Sequence, residues 1–175
     1  MNRKKHTVYL SREKRNLGLF SAKRMIKQAV NAVLEAENIS VPCEVSVLLT
    51  DDEGIHALNR EFRKVDKPTD VLSFPANEFT AGEFDPETAD INPKTGRVML
   101  GDMAISLEHA AKQGKEFGHG TKREIKYLTV HSVLHLLGYD HLDEGEEKRR
   151  MRSREEAILK SCIAEYAGFW KAGLS

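Results

Sequence analysis

Hydrophobic positions recur along the chain with two periods, and their order predicts a fold that contains both helices and strands. Helical spacing predicts five helices, at residues 21–37, 51–62, 106–117, 121–137 and 144–166. Alternation or short apolar runs predict four strands, at residues 6–10, 43–50, 71–74 and 97–105. The last three helices follow all the strands, which disfavours a doubly wound fold. The pattern therefore predicts an α+β domain in which helices cover a small mixed β-sheet.

Individual residues indicate where one helix begins, where another ends and which side chains a third one buries. Ser21 stands at the start of the first helix and is a residue type that caps helix N-termini. Gly138 directly follows the fourth helix, where glycine commonly ends a helix. In the second helix, the spacing of Ile55, Leu58 and Phe62 predicts that all three side chains are buried.

The length and composition of the chain are typical of one globular domain. Its 175 residues are 40% hydrophobic and 31% charged, so we expect residues 1–175 to form a single domain. No run approaches the roughly 20 consecutive apolar residues that a membrane span needs. The basic N-terminus lacks the apolar core of a signal peptide, which predicts a cytoplasmic protein. Cys43 and Cys162 form no CxxC pair, and we expect two buried thiols.

Charge is balanced overall but unevenly distributed along the chain. With 27 basic and 27 acidic residues the formal net charge is zero, which argues against broad electrostatic adhesion to nucleic acid. Basic residues dominate positions 3–27, whereas positions 78–90, within a predicted long loop, carry only acidic charges. This distribution is compatible with one basic face on a neutral protein and with scattered, solvated surface charge.

Three histidines have a spacing that predicts a metal site. The sequence from 131 to 141 reads His-Ser-Val-Leu-His-Leu-Leu-Gly-Tyr-Asp-His. His131 and His135 are four residues apart on a predicted helix, so both imidazoles lie on one face and can bind the same ion. Gly138 permits a sharp turn that brings His141 back as a third ligand. Three imidazoles leave the fourth position of a zinc ion for water, as catalytic sites do.

An open position on zinc predicts hydrolytic chemistry. Zinc lowers the pKa of bound water from 15.7 to about 7, and it polarises a carbonyl or phosphoryl oxygen as a Lewis acid. Three imidazoles suit zinc, copper or nickel better than magnesium. The remaining histidines show no such spacing, and we expect structural or solvated roles for His6, His56, His109 and His119.

The metzincin proteases share the spacing of the three histidines and the glycine but differ at one decisive position. They carry a glutamate, their general base, directly after the first histidine. This chain has Ser132 there, whose hydroxyl cannot take up a proton near neutral pH. A metzincin-like metalloprotease therefore stays open as an alternative that lacks its catalytic base.

Three blocks of sequence, in order, resemble the YbeY family of bacterial metal-dependent endoribonucleases, the rRNA maturation factors. The blocks are Leu58-Asn59 and Phe62-Arg63 followed by Asp66-Lys67-Pro68-Thr69-Asp70-Val71-Leu72-Ser73-Phe74-Pro75, then Leu100-Gly101-Asp102-Met103-Ala104-Ile105-Ser106, then the histidine motif. Together they cover most of residues 58–141. Family members often carry glycine where this chain has Ser132, and because both residues are small we expect close packing to survive.

The resemblance implies a zincin-like α+β fold with a histidine-bearing active-site helix and one Zn²⁺ per chain on His131, His135 and His141. It implies cleavage of single-stranded RNA, maturation of the 3′ end of 16S rRNA and a part in ribosome quality control. The implied partners are single-stranded RNA, rRNA and the small ribosomal subunit, with no membrane partner.

Arg63 is the residue that links the sequence itself to phosphate. It belongs to a basic cluster with Arg60, Lys64 and Lys67, directly before a predicted strand. The planar guanidinium fork suits bidentate contact with a phosphodiester. The family has a functionally important arginine here, so the resemblance implies a catalytic role for Arg63, whereas the residues alone are equally compatible with a solvated basic loop.

Three acidic residues near these motifs receive lesser roles. Asp70 and Asp102 lie in the matching blocks, and we expect them to orient backbone rather than perform chemistry. Asp140 is expected to hydrogen-bond a ligand imidazole.

One further interpretation of the function stays open, that of a ribosome-associated factor with structural zinc that binds RNA without cutting it. The sequence also leaves open whether water or the RNA's own 2′-hydroxyl attacks phosphorus.

Overall fold

The computed structural model describes residues 6–14, 21–140 and 145–171, with the surroundings of side chains described as far as Cys162. Its elements are β1 Thr7–Arg12, α1 Ala22–Ala36, β2 Cys43–Thr50, α2 Asp52–Leu58, a π-helical segment Asn59–Arg63, β3 Val71–Pro75, β4 Val98–Ser106, α3 Leu107–Glu116, α4 Gly120–Leu136 and α5 Glu146–Lys171. This is the predicted order of strands and helices, with boundaries shifted by a few residues.

The four strands form one mixed sheet in the order β1-β2-β4-β3. The β1–β2 and β2–β4 pairs are parallel, and β3 runs antiparallel to β4 with Ser73 opposite Met103. The predicted α+β class with a small mixed sheet is confirmed. As an edge strand, β3 has backbone groups that no strand partner satisfies, so they are accessible to side chains.

Most of the core lies between one face of the sheet and the helices α1, α4 and α5. The alternating residues Val45, Val47 and Leu49 of β2 are all buried there, as the strand pattern predicted. Helix α4 runs through this layer and buries residues on most of its sides. Such a helix is held from several directions, which makes it a rigid base for functional side chains.

A smaller cluster lies on the opposite face of the sheet, beneath α2. Ile55 of α2 packs there with Leu72 of β3 and Ala104 of β4, and Phe74 borders the cluster. Because side chains alternate along a strand, Ser73 points the other way, toward α4. The edge strand therefore has an apolar face toward α2 and a polar residue toward the central helix.

Two local expectations were wrong. Phe62 is 57% exposed rather than buried, because the chain forms a π-helical segment from Asn59 onward. Hydrogen bonds from i to i+5 change the angular step, so a residue four positions after Leu58 no longer shares its buried face. Ser21 does precede α1, but its side chain makes no capping hydrogen bond.

Within the described residues, no helix is both long and apolar enough to cross a bilayer.

Candidate active site

His131 and His135 lie near the C-terminal end of α4 and face one another. Their Nε2 atoms are 3.1 Å apart, and their rings are nearly perpendicular, with centroids separated by 4.6 Å. Both side chains are half-buried and line the same cleft. The four-residue spacing therefore does what the sequence predicted, because it directs two ring nitrogens at one point in space.

This pair fits a zinc ion. Two nitrogens that each bind zinc at about 2.1 Å in a tetrahedral arrangement lie about 3.4 Å apart, close to the observed separation. Neutral imidazole nitrogens are also the donors that zinc prefers. The separation of the two nitrogens is therefore compatible with one zinc ion, and the assignment of His131 and His135 as its ligands stays a prediction.

The third predicted ligand, His141, lies outside the described residues, and its role stays a prediction. Within the described part of the chain, no three His, Cys, Asp or Glu side chains converge on one point. Gly138 and Tyr139, which precede His141, have defined contacts. Gly138 adopts φ +88°, and a Cβ there would lie 2.0 Å from the carbonyl oxygen of Phe79, so only glycine fits this turn. Tyr139 follows, and its buried hydroxyl donates to Glu37 at 2.8 Å.

Glu155 is the residue of this site that sequence reasoning missed. This α5 side chain is only 5% exposed, and its Oε1 lies 2.6 Å from His131 Nδ1. The sequence predicted Asp140 for such a contact. Asp140 lines the cleft, and its contact with a ligand imidazole stays a prediction. Only the packing of α5 against α4 could have identified Glu155.

Arg63 reaches the same cleft from the end of the π-helical segment. Its Nη2 donates to the backbone carbonyl of Ser73 at 2.8 Å, and its guanidinium lies 6.0 Å from the centre of the Phe74 ring. The following residue, Lys64, adopts φ +60°, which turns the chain away after Arg63. The arginine is thus held against the edge strand by one donor while the rest of its fork remains available for a ligand.

The cleft that these residues share has a volume of about 950 Å³. It lies between β3 and the C-terminal end of α4, and its walls include Arg63, Asp70, His131, His135 and Asp140. The structure thus brings together the predicted arginine and the two described histidines, although 68 residues separate Arg63 from His131 in sequence. The other cations of the basic cluster do not line it.

The two acidic residues of the matching blocks behave differently. Asp70 accepts hydrogen bonds from the backbone N–H of Val71 at 2.7 Å and from the side chain of Gln113 at 3.1 Å. It therefore orients the start of β3, as expected. Asp102 is exposed on β4 and is not part of the cleft wall. Asp70 belongs to the cleft wall, but its carboxylate is engaged by Val71 and Gln113, so we assign a catalytic role to neither residue.

Ser132 is fully buried and does not line the cleft. Its hydroxyl hydrogen-bonds the hydroxyl of Ser73 at 2.6 Å. A metzincin would have its general base at this position. Here the side chain is directed into the contact between α4 and β3, so the close packing expected for a small residue survives.

The remaining histidines have polar partners outside the cleft, and the two cysteines are buried. His6 accepts a hydrogen bond from the backbone N–H of Cys43 at 3.2 Å. The other three contact acidic side chains, in the pairs His56–Asp66, His109–Asp52 and His119–Glu124. Both cysteines are buried, as expected, and burial raises the pKa of Cys43 to about 12, so its thiol stays protonated.

Comparisons with known proteins identify the family that this chain resembles in sequence. The family model for Endoribonuclease YbeY matches residues 8–163. Endoribonuclease YbeY of Agathobacter rectalis is 46% identical over 145 residues, covering 80% of this chain and 87% of that protein. Endoribonuclease YbeY of Acetivibrio thermocellus is 45% identical over 141 residues, covering 81% and 86%.

A solved structure resembles the fold. The solution structure of a protein from Thermotoga maritima matches with a TM-score of 0.59 at 22% identity, covering 93% of both chains. At that identity the likeness concerns the fold alone. The sequence relatives and the family model carry the assignment, and the resemblance drawn from the three sequence blocks is confirmed: the chain belongs to the Endoribonuclease YbeY family.

Proposed function

We propose that this protein is a zinc-dependent endoribonuclease that cleaves single-stranded RNA during rRNA maturation. The observation that carries the proposal is one cleft in which two imidazole nitrogens 3.1 Å apart share walls with Arg63. A metal-binding pair and a phosphate-binding fork are the two elements that phosphodiester cleavage requires. Relatives at 45–46% identity are named endoribonucleases.

In this proposal His131, His135 and His141 hold one Zn²⁺. When bound, zinc supplies a Lewis acid for a phosphoryl oxygen and lowers the pKa of water. The chain's own contribution is a preformed geometry. Helix α4 fixes the two described histidines, and the buried contact of Ser132 with Ser73 fixes that helix against β3. Such preorganisation spares the site reorganisation during the reaction.

Arg63 binds the phosphate whose ester bond is cleaved. Its hydrogen bond to the Ser73 carbonyl holds the guanidinium in the cleft wall. As negative charge grows on the phosphoryl oxygens, the remaining N–H donors of the fork stabilise it. Arginine suits this role because its planar donors match two oxygens of a phosphodiester at once.

A local group of basic residues around Arg63 supports RNA as the proposed substrate. The whole chain has zero formal net charge, so affinity for a polyanion must come from a limited region. Arg60, Lys64 and Lys67 are exposed and adjoin Arg63 in sequence. A few phosphates of a flexible single strand can reach such a region and still enter the cleft. We place this activity on rRNA of the small ribosomal subunit, in the cytoplasm.

The test is cleavage of one end-labelled RNA, presented single-stranded or as a duplex with its complement. We expect the single strand to be cut by the purified protein, cleavage to stop with a chelator, and stoichiometric zinc to restore it. Analysis of the product ends distinguishes attack by the 2′-hydroxyl, which leaves a cyclic phosphate, from attack by water. RNA that is bound but never cut by the zinc-loaded protein would overturn the proposal in favour of a non-catalytic RNA-binding factor.

A further inference from the structure

His131 is held from both of its ring nitrogens. Nε2 faces His135, and Nδ1 lies 2.6 Å from Oε1 of Glu155. A carboxylate is an acceptor only, so the hydrogen of this bond belongs to the imidazole. With Nδ1 protonated, neutral His131 presents its lone pair at Nε2, toward the point that it shares with His135. Tyr127, whose ring centre lies 5.9 Å from that of His131, restricts the imidazole from a further direction.

Glu155 is a costly residue to keep in this position. It is 5% exposed, and a buried carboxylate destabilises a protein unless partners compensate it. It lies on α5, which packs against α4, and its neighbour Glu156 is exposed to solvent. Helix α5 could present a neutral or apolar residue here at lower cost, so the placement of a carboxylate against the imidazole indicates a role beyond packing.

We propose that Glu155 is a positioning residue for the metal, and this inference rests on the metal-binding part of the proposed function. Its carboxylate accepts the Nδ1–H of His131, fixes the tautomer and the ring orientation that leave Nε2 available, and makes that nitrogen a stronger donor. A carboxylate behind a ligand imidazole typically accounts for about tenfold to a hundredfold in metal affinity. The affinity for zinc therefore depends partly on α5, although neither His131 nor His135 belongs to that helix.

The inference also gives α5 a function. A helix of this length on the surface could serve merely to cover the core, and its apolar residues Met151, Ile158 and Leu159 do so. Glu155 lies between them in sequence and is directed at the site. Any movement of α5 relative to α4 would therefore change the hydrogen bond between Glu155 and His131.

The experiment compares zinc affinity in three proteins: the unmodified chain, Glu155→Gln and Glu156→Gln. Each is titrated with zinc in competition with a chromophoric chelator at one fixed pH. Glu155→Gln keeps the size of the side chain and removes its charge, and we expect its zinc dissociation constant to rise about tenfold to a hundredfold. Glu156→Gln makes the same change one residue along and should bind zinc like the unmodified chain. Circular dichroism of the metal-free proteins checks that all three fold.

A second measurement needs no variant at Glu155. Long-range ¹H–¹⁵N correlation spectra of the metal-free, unmodified protein report the tautomer of His131 at mildly alkaline pH, with a His131→Ala spectrum for assignment. The proposal expects the proton on Nδ1 and a bare Nε2. A proton on Nε2, or equal zinc affinity in Glu155→Gln and the unmodified chain, overturns the inference. An unmodified chain that binds no zinc overturns the proposed function instead, so the two failures are distinguishable.

Discussion

Ser132 and Ser73 hydrogen-bond hydroxyl to hydroxyl at 2.6 Å in the buried contact between α4 and β3. The same Ser73 accepts a hydrogen bond from Arg63 through its backbone carbonyl. One strand residue thus connects the helix that carries the histidines with the arginine on the other side of the cleft.

We expect Ser132→Ala to destabilise the fold modestly. The substitution leaves the Ser73 hydroxyl buried without this partner, which costs about 1–3 kcal/mol in the free energy of unfolding. Urea denaturation measures the loss. The matched control is the Ser73→Ala/Ser132→Ala double variant, which removes both hydroxyls and should be less destabilised than the sum of the two single variants. Strict additivity of the single losses would contradict a direct interaction.

The sequence also predicts poor proteolysis, and the structure supplies the reason. Because Ser132 is fully buried and does not line the cleft, it cannot act on a substrate bound near the histidines. We expect the zinc-loaded protein to leave casein intact under conditions in which it cuts RNA. Robust proteolysis that a chelator abolishes would favour the metalloprotease alternative over the endoribonuclease.

Local patterns predicted the element order and the histidine pair because both depend on short-range geometry. A period of two residues identifies a strand, and four residues along a helix place His131 beside His135 whatever surrounds them. The tertiary relationships were not accessible in this way. Glu155 lies 24 positions after His131, and which of the acidic residues of α5 meets the imidazole depends on how two helices cross.

The wrong expectation for Phe62 has a similar cause. An ideal helix extended through Arg63 buries this ring, but the chain changes to π-helical hydrogen bonding and exposes it. The same change directs Arg63 around the edge strand to the Ser73 carbonyl. Such one-turn π-segments often occur at functional sites, and hydrophobic spacing alone gives no sign of them.

Metal content tests the histidine set directly. We expect elemental analysis of the purified protein to give about one zinc per chain, because one three-ligand site is predicted. His135→Ala should lose that zinc, since two remaining ligands bind it weakly. His56→Ala is the matched control, because His56 contacts Asp66 outside the cleft. Full zinc retention in a triple alanine variant at His131, His135 and His141 would contradict the site.

Asp52 predicts how stability depends on acid. Although burial raises its pKa, hydrogen bonds from Lys112, Ser106 and His109 outweigh this and lower the pKa from its ordinary value of 3.8 to about 2. A group whose pKa is lower in the folded state stabilises the fold above its unfolded pKa, and this contribution is lost as the pH falls through its folded pKa. The Asp52 contribution is therefore complete at neutral pH and disappears between about pH 4 and pH 2.

The corresponding variant is Asp52→Asn. We expect it to lower the free energy of unfolding at neutral pH by about 2 kcal/mol, because a carboxyl pKa lowered from 3.8 to about 2 corresponds to that stabilisation at about 1.36 kcal/mol per pKa unit. The difference from the unmodified protein should shrink as the pH falls below about 4. Glu53→Gln is the control, since the Glu53 side chain is 88% exposed. A constant difference down to strongly acidic pH would exclude the ionised Asp52 as its source.

Arg63 is the residue on which the proposed chemistry depends most directly. We expect Arg63→Ala to slow single-turnover cleavage of a labelled single-stranded RNA by about tenfold to a thousandfold. Charge-assisted hydrogen bonds contribute about 1.5–3 kcal/mol each, and each 1.36 kcal/mol corresponds to a tenfold change in rate. Arg63→Lys should restore only part of the rate, because an ammonium cannot contact two phosphate oxygens in the plane of a fork while also binding the Ser73 carbonyl.

Arg60→Ala provides the matched control for that experiment. It removes the same charge from the same π-helical segment, but Arg60 is exposed and does not line the cleft. Its loss should weaken RNA binding slightly and reduce the salt dependence of binding, while the rate at saturating RNA stays unchanged. Zinc content and circular dichroism should match the unmodified protein in all three variants, because neither arginine is a metal ligand. If Arg63→Ala cuts RNA at the unmodified rate with its zinc in place, Arg63 is not the phosphate-binding group, and the bond to Ser73 serves only to close the edge of the sheet.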